Sequence, residues 1–313
     1  MSAVPDASNP VSGYLHPAYA NALSYYGRPV YLPQCRGWVL ERRIPGCDAV
    51  DAMGCYPLFM CQDWSSLHLD LEKIDRQWVT LVLVADPFGD HSADYLKTYF
   101  PDVMIPFKQH YVVDLRQSPH DFVVDHHKRN ARKALQKVTV EVCPDPLALL
   151  DDWVSLYDVL IRRHHIRGLT AFSRQSFARQ MQVPGLVAFR ASVEGATIGM
   201  LLWYIVSNVG YYHLGAYNEI GYSLRASFAL FWYAITYFAE IGVKWLNLGA
   251  GAGIHGTTDD GLSRFKRGWS NGTRVAYLCG RVLHRKRYQE IISCRSGLPQ
   301  GVSYFPLYRY GEF

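Results

Sequence analysis

"SLRASFALFWYAITYFAEIGVKWLNLGAG", Ser223 to Gly251, is the stretch that sets the fold class. Its first two thirds are apolar on most helical faces, as expected of a helix buried against a sheet rather than lying on a surface. Gly242 is a stop signal. "VKWLNLGAG" (Val243–Gly251) then reads as a strand running into a glycine-rich turn. Upstream, "LVAFRASVEG", "ATIGMLLWYIVSN" and "VGYYHLGAY" form an antiparallel meander with turns at Glu194-Gly195 and Ser207-Asn208. Before these, "PLALLDDWVSLYDVLIRRHHI" places Leu149, Trp153, Leu156 and Leu160 at helical spacing, and "SRQSFARQM" is a second helix. "TRVAYLCGRVL" is a last strand. The order is helix, helix, three antiparallel strands, buried helix, strand, loop, strand.

The first part of the chain alternates short β-like runs, "WVLERRI", "WVTLVLVADPF" and "YVVDL", with polar breaks, and "HSADYLKTYF" reads as a short helix between them. Next, Ser118 or Asp121 is expected to cap a helix with a basic face, His127 to Lys137, before the strand "VTVEV". A boundary is expected near Pro144 to Pro146.

A chain of 313 residues exceeds one compact core, so two domains are expected. With 49% apolar residues it is globular, and a formal charge of +5 suits an anionic ligand without marking a dedicated nucleic-acid binder. Seven cysteines, an odd number without CxxC spacing, argue against a disulfide framework and a zinc knuckle. No signal-like start and no membrane-length apolar run are visible, so a cytoplasmic setting is expected.

The order of elements is similar to the acyltransferase fold of the GNAT superfamily, and three stretches resemble its Fem-like subgroup: "HHKRNARKALQKVTVEV" (His126–Val142), "GYYHLGAYNE" with the helix and strand quoted above, and "DDGLSRFKRGWS" (Asp259–Ser270), which looks like that group's Phe-Lys loop. The resemblance covers about residues 105 to 285. It implies an α+β chain of two tandem GNAT-like domains, each a mixed, mainly antiparallel sheet flanked by helices. The expected divisions are 1–145, a catalytic 146–287, and a tail, 288–313, that packs back on the first domain.

The same resemblance implies an acyltransferase in which Lys266, beside Phe265, stabilises negative charge on the carbonyl oxygen under attack, with Phe265 walling off water. The alternative is a basic surface loop. Arg264, Arg267 and Arg274 flank the lysine and suit phosphate oxygens. Tyr217, Asn218 and Tyr222 stand where related folds bind acceptor groups, and Tyr56, in "DAMGCYP", is a weaker candidate for substrate contact. Lys128, Arg129 and Arg132 of the basic helix, with Arg225, are expected to meet tRNA phosphates, a solvated helix face being the alternative.

Other motifs carry less. "GAGIHG" (Gly251–Gly256) fits G-x-G-x-x-G, but no apolar helix follows and no acidic residue stands about 20 positions on, so a dinucleotide site is not expected. The segment "NEIGYSLRAS", where GNAT enzymes cradle the coenzyme pyrophosphate, holds only Gly221 and Arg225, which favours aminoacyl-tRNA over acyl-CoA as donor. The pairs His126-His127 and His164-His165 lack metal-ligand spacing, and no GxSxG elbow is present. The expectation is aminoacyl transfer from aminoacyl-tRNA to a small-molecule or peptide amine, without a metal, a bound cofactor, a membrane span or DNA. The alternatives are an N-acyltransferase using acyl-CoA or acyl carrier protein, and a silent module that binds RNA or a partner.

Overall fold

The structure is a computed structural model and describes residues 11–74, 77–252, 260–295, 298–299 and 304–312. In chain order its elements begin with α1 (Pro17–Ala22), β1 (Arg28–Leu32), β2 (Gly37–Arg43), β3 (Val50–Gly54), α2 (Leu67–Lys73), β4 (Thr80–Val84), α3 (Ala93–Tyr99) and β5 (Val103–Asp114). There follow α4 (Pro119–Phe122), α5 (Asp125–Leu135), β6 (Thr139–Val142), α6 (Leu150–His164), α7 (Arg174–Gln180), β7 (Leu186–Val193), β8 (Ala196–Val206) and β9 (Val209–Tyr217). The last are α8 (Glu219–Ser223), α9 (Ala226–Glu240), β10 (Trp245–Gly249), α10 (Gly261–Arg267), β11 (Gly272–Val282) and α11 (Arg285–Ser293).

The chain divides into two compact units. One comprises residues up to His16 with Lys108–Arg274; the other comprises Pro17–Phe107 with Val275–Phe313. The division differs from the sequential one expected at 145 and 287, because burial rather than chain order defines each core. Pro144 and Pro146 lie inside one unit. The tail shares a unit with residues 17–107.

In the unit containing residues 108–274 the strand order is β5-β10-β9-β8-β7-β6. All neighbours are antiparallel except β10 and β9. The meander is legible in its turns: Glu194 and Ser207 both adopt positive φ, as tight hairpins demand. Helix α9 covers one face, burying Ala229, Leu230, Phe231, Ala234, Ile235 and Phe238 against Trp203, Phe189 and Leu246. Helix α5 buries His127, Asn130, Ala131 and Ala134, positions three or four apart, and turns Arg129, Arg132 and Lys133 outward. Ser118 caps the short α4, not α5, which begins after Val124. On the other sheet face, Tyr14, Gln180, Tyr204 and His213 form a buried polar cluster; His213 meets the Tyr14 hydroxyl at 3.0 Å and the Gln180 Oε1 at 2.9 Å.

In the other unit the order is β1-β2-β3-β4-β11, again with a single parallel pair, β3 with β4. Trp78, Phe59, Leu81, Leu83, Phe100 and Cys279 centre its core. The chain's last residues are fastened to it by charge: Arg309 donates through Nε and Nη2 to Asp51 at 2.6 and 2.8 Å, both side chains being buried, and Tyr308 donates to the same carboxylate at 3.0 Å.

Candidate active site around Lys266

The segment expected as a loop, Asp259–Ser270, is a helix over Gly261–Arg267. Asp260 caps α10 by accepting from Leu262 N at 2.8 Å and Ser263 N at 2.9 Å, and the Ser263 hydroxyl donates to the same carboxylate at 2.6 Å. Glycines at Gly261 and Gly268 hide this short helix from a reading of the sequence, since both normally signal a turn. Residues 253–259, most of the "GAGIHG" motif among them, lie outside the described residues.

Helical spacing then sorts the side chains of α10. Lys266 turns inward and is 5% exposed, whereas Arg264 and Arg267 face outward. The Lys266 Nζ donates to the Ala250 carbonyl at 2.7 Å and lies 5.4 Å from the centre of the Tyr212 ring. Burial pulls its pKa down to about 7, against the upward pull of Asp260. This amine stands where two strands stop pairing. β9 and β10 run in parallel register from Val209 with Trp245 to Tyr211 with Asn247, and β9 continues to Tyr217 without β10 beside it. β10 meanwhile bulges against β5 between Asn247 and Gly249. Gly249 has φ +75, a conformation that favours glycine, and a Cβ there would come within 3.2 Å of Nζ.

Two residues that the sequence reading passed over complete the strand end. Asn247 is 2% exposed; its Oδ1 accepts from Gly249 N at 2.9 Å and faces His110 Nδ1 at 2.9 Å. His110, itself buried, is driven down to a pKa of about 4 by burial and by the positive charges of Lys266 and Lys108. The signal for Asn247 was available: it is the one polar side chain of the strand "WLNLG". His110 needed the register of β5 on β10.

The remaining candidates separate. Phe265 is half-buried. Its ring packs among His127, Phe228, Phe231 and Trp269, with centroids 4.9–5.9 Å away. Tyr217 is a core residue, and the Asn218 carboxamide caps α8 by accepting from Gly221 N at 2.9 Å. Tyr222 is half-buried beneath the Arg163 guanidinium, 4.2 Å from the ring centre. Arg225 precedes α9 at φ 59 and donates to the Asn130 Oδ1 of α5. Lys128 bonds the His120 carbonyl and pairs with Asp125, both at 3.0 Å, while Arg129 and Arg132 are exposed. Tyr56 belongs to the other unit, where burial raises its phenol to about 12. That unit also holds a cleft of about 390 Å³ lined by Asp102, Arg285, Tyr288 and Phe305 but by none of the expected residues. Among the described residues no three His, Cys, Asp or Glu side chains are placed to hold a metal ion.

Helix α10 is held to its neighbours by hydrogen bonds as well as rings. His127 Nε2 donates to the Phe265 carbonyl at 3.0 Å, and Val124 N donates to the Gly268 carbonyl at 3.1 Å. The lysine's helix and the basic helix are thereby one packed piece.

Comparison with known proteins follows this geometry. Residues 124–267, from the start of α5 to the end of α10, match the family described as acetyltransferase (GNAT) domain. Among solved structures the chain is similar to FemX, at 13% identity and a TM-score of 0.66 over 91% of this chain and 96% of that one. It is also similar to the C-terminal domain of a protein from Agrobacterium fabrum named for lysylphosphatidylglycerol synthesis, at 12% identity and 0.61 over 88% and 90%. L-PGS from Bacillus licheniformis follows at 13% and 0.52 over 88% and 94%. No curated protein matches the sequence. The fold is thus the two-domain GNAT-like fold of FemX, as expected from the three quoted stretches.

Proposed function

We propose that this chain, a GNAT-superfamily protein with a Fem-like fold, is an acyltransferase that moves an aminoacyl group from aminoacyl-tRNA to an amine, on a peptidoglycan precursor or another small peptide or amino compound, in the cytoplasm and without a bound cofactor. The observation that carries this reading is the buried Lys266 amine at the end of β10, where β9 and β10 part. In the reaction the acceptor nitrogen attacks the ester carbonyl carbon and a C–N bond forms as the carbonyl electron pair moves onto oxygen. Lys266, protonated, stabilises that oxyanion from a water-poor site, where one such donor is worth about 3 to 4 kcal/mol. Collapse breaks the ester C–O bond, and the proton lost by the amine passes to the departing ribose oxygen. Holding both substrates together supplies much of the remaining rate gain.

The exposed Arg129 and Arg132 of α5, with Lys128 and Arg225, suit the phosphates of a tRNA end. Arg264 and Arg267, on the outer face of α10, suit further phosphate or carboxylate oxygens. Tyr217, Asn218, Tyr222 and Tyr56 are the candidates for acceptor contact.

The description of the matched family favours a second reading, transfer from acyl-CoA. The segment before α9 supports the first. It forms α8 rather than an open glycine loop, its Gly221 amide is occupied by Asn218, and Gly221 itself accommodates the Ile198 carbonyl, which a Cβ would approach to 2.2 Å. Donor dependence decides between them. Transfer of labelled amino acid from aminoacyl-tRNA to an amine, abolished by ribonuclease and lowered about a hundredfold in Lys266→Met, is the expected result. Transfer from acyl-CoA alone overturns it, and salt-sensitive RNA binding without transfer to any amine identifies a silent binding module.

A further inference from the structure

We infer that Asn247 and His110 are positioning residues that set where the Lys266 amine sits and how much charge it carries. The inference rests on Lys266 being the working group of the reaction proposed above.

The chain of contacts is short. Asn247 Oδ1 accepts from the Gly249 amide, a local turn that holds Gly249 in its left-handed conformation. The next carbonyl, Ala250, is thereby directed at Lys266 and receives its Nζ. His110 holds Asn247 in turn, at 2.9 Å from the same Oδ1. An oxygen that already faces a backbone N–H cannot be exchanged for the carboxamide nitrogen, since two donors would then meet. The His110 ring must therefore present Nδ1–H, which fixes a neutral tautomer with Nε2 as the acceptor.

The choice of asparagine is itself informative. Its Nδ2 is buried and has no hydrogen-bond partner among the described residues. An aspartate of the same shape accepts both hydrogen bonds and leaves no buried donor unmet, so packing and hydrogen bonding alone favour the acid. What the acid also brings is a negative charge at the strand end. The groups acting on Lys266 there are Asp260 from the cap of α10, His110 from β5, the Tyr212 ring from β9 and the Ala250 carbonyl after β10; Lys108 adds its charge at His110. Asn247, being neutral, and His110, whose ring is only ever neutral or positive, offer the lysine no counter-ion, and its amine is left easy to deprotonate. A lysine tied to a buried carboxylate is a structural ion pair; one tied to a carbonyl keeps its charge for a substrate oxygen.

The test needs neither tRNA nor acceptor, so its failure is distinct from failure of the proposed reaction. Full-length protein labelled with ¹³C-lysine is titrated by NMR, with Lys266 assigned by its loss in Lys266→Met. The expected midpoint near 7 rises by at least one unit, a tenfold gain in proton affinity, in Asn247→Asp, and rises also in Asn247→Ala as the turn loosens and water reaches the amine. A change below twofold in both variants overturns the inference, even if their melting temperatures fall, because a purely structural asparagine affects stability and leaves the lysine's titration unmoved. Should either variant fail to fold, ¹⁵N spectra of wild-type histidines decide: His110 as the Nδ1–H tautomer from pH 6 to 8 supports the inference, and the Nε2–H tautomer or a charged ring overturns it.

Discussion

Lys266 costs the protein stability, and that cost has a definite pH dependence. Its pKa is lowered from 10.5 to about 7 in the folded chain. Between those values the unfolded chain binds the additional proton, so stability rises with pH across that window and the burden is greatest below about 7. Lys266→Met is therefore expected to gain about 1 to 2 kcal/mol at pH 6.5 in urea unfolding, with the gain fading toward pH 10. A destabilised variant at pH 6.5 contradicts this account. In catalysis the sign reverses in consequence: oxyanion stabilisation needs the ammonium, so kcat is expected to fall as pH rises through about 7. Lys266→Arg keeps its charge throughout and should lack that alkaline limb, whatever its absolute rate.

Helix α10 shows how much one capping side chain can govern. Asp260 both starts the helix and raises the lysine's proton affinity. Asp260→Asn keeps a capping oxygen and removes the charge, so the alkaline limb of kcat is expected to move to lower pH; Asp260→Ala additionally loses about 1 kcal/mol of stability, measured by urea unfolding. Elements of this kind mark the limit of what the sequence discloses. The β7–β8–β9 meander, α9 and β10 were legible because turn residues and apolar runs are local signals. Lys266 and the basic face of α5 were legible as a pattern. The short helix was not, since its seven residues begin on one glycine and stop at another. Nor was the packing of Phe265, whose ring partners His127, Phe228 and Phe231 come from α5 and α9, far away in the chain. His110 and Asn247 become partners only through strand register, which no local pattern encodes.

Across the molecule, buried and half-buried histidines set the response to acid. His213 is lowered to about 3 and His110 to about 4, burial being the first cause in each, and His127 and His91 are lowered likewise. As pH falls below about 6.5 the unfolded chain takes up protons that these sites refuse, so stability is lost at up to about 1.4 kcal/mol per pH unit for each. Thermal unfolding should show a steep decline between pH 6.5 and 4.5, shallower in His213→Gln; an unchanged melting temperature over that range excludes the mechanism. In the unit built on residues 17–107, Arg309→Met leaves the Asp51 carboxylate buried without its guanidinium and is expected to cost about 3 to 5 kcal/mol, part of it recovered by adding Asp51→Asn. The same feature has a consequence for biosynthesis. In chain order, residues 108–274 are a guest segment between the two pieces, 17–107 and 275 onward, of a host that is complete only once its second piece has left the ribosome. The guest can fold while translation continues, whereas the host waits with β4 lacking its β11 neighbour and Asp51 lacking Arg309. A premature stop within codons 275 to 282 thus spares the lysine-bearing unit and leaves the other without its β11 strand, yielding a truncated product with an open sheet edge at β4, the kind of surface that aggregates.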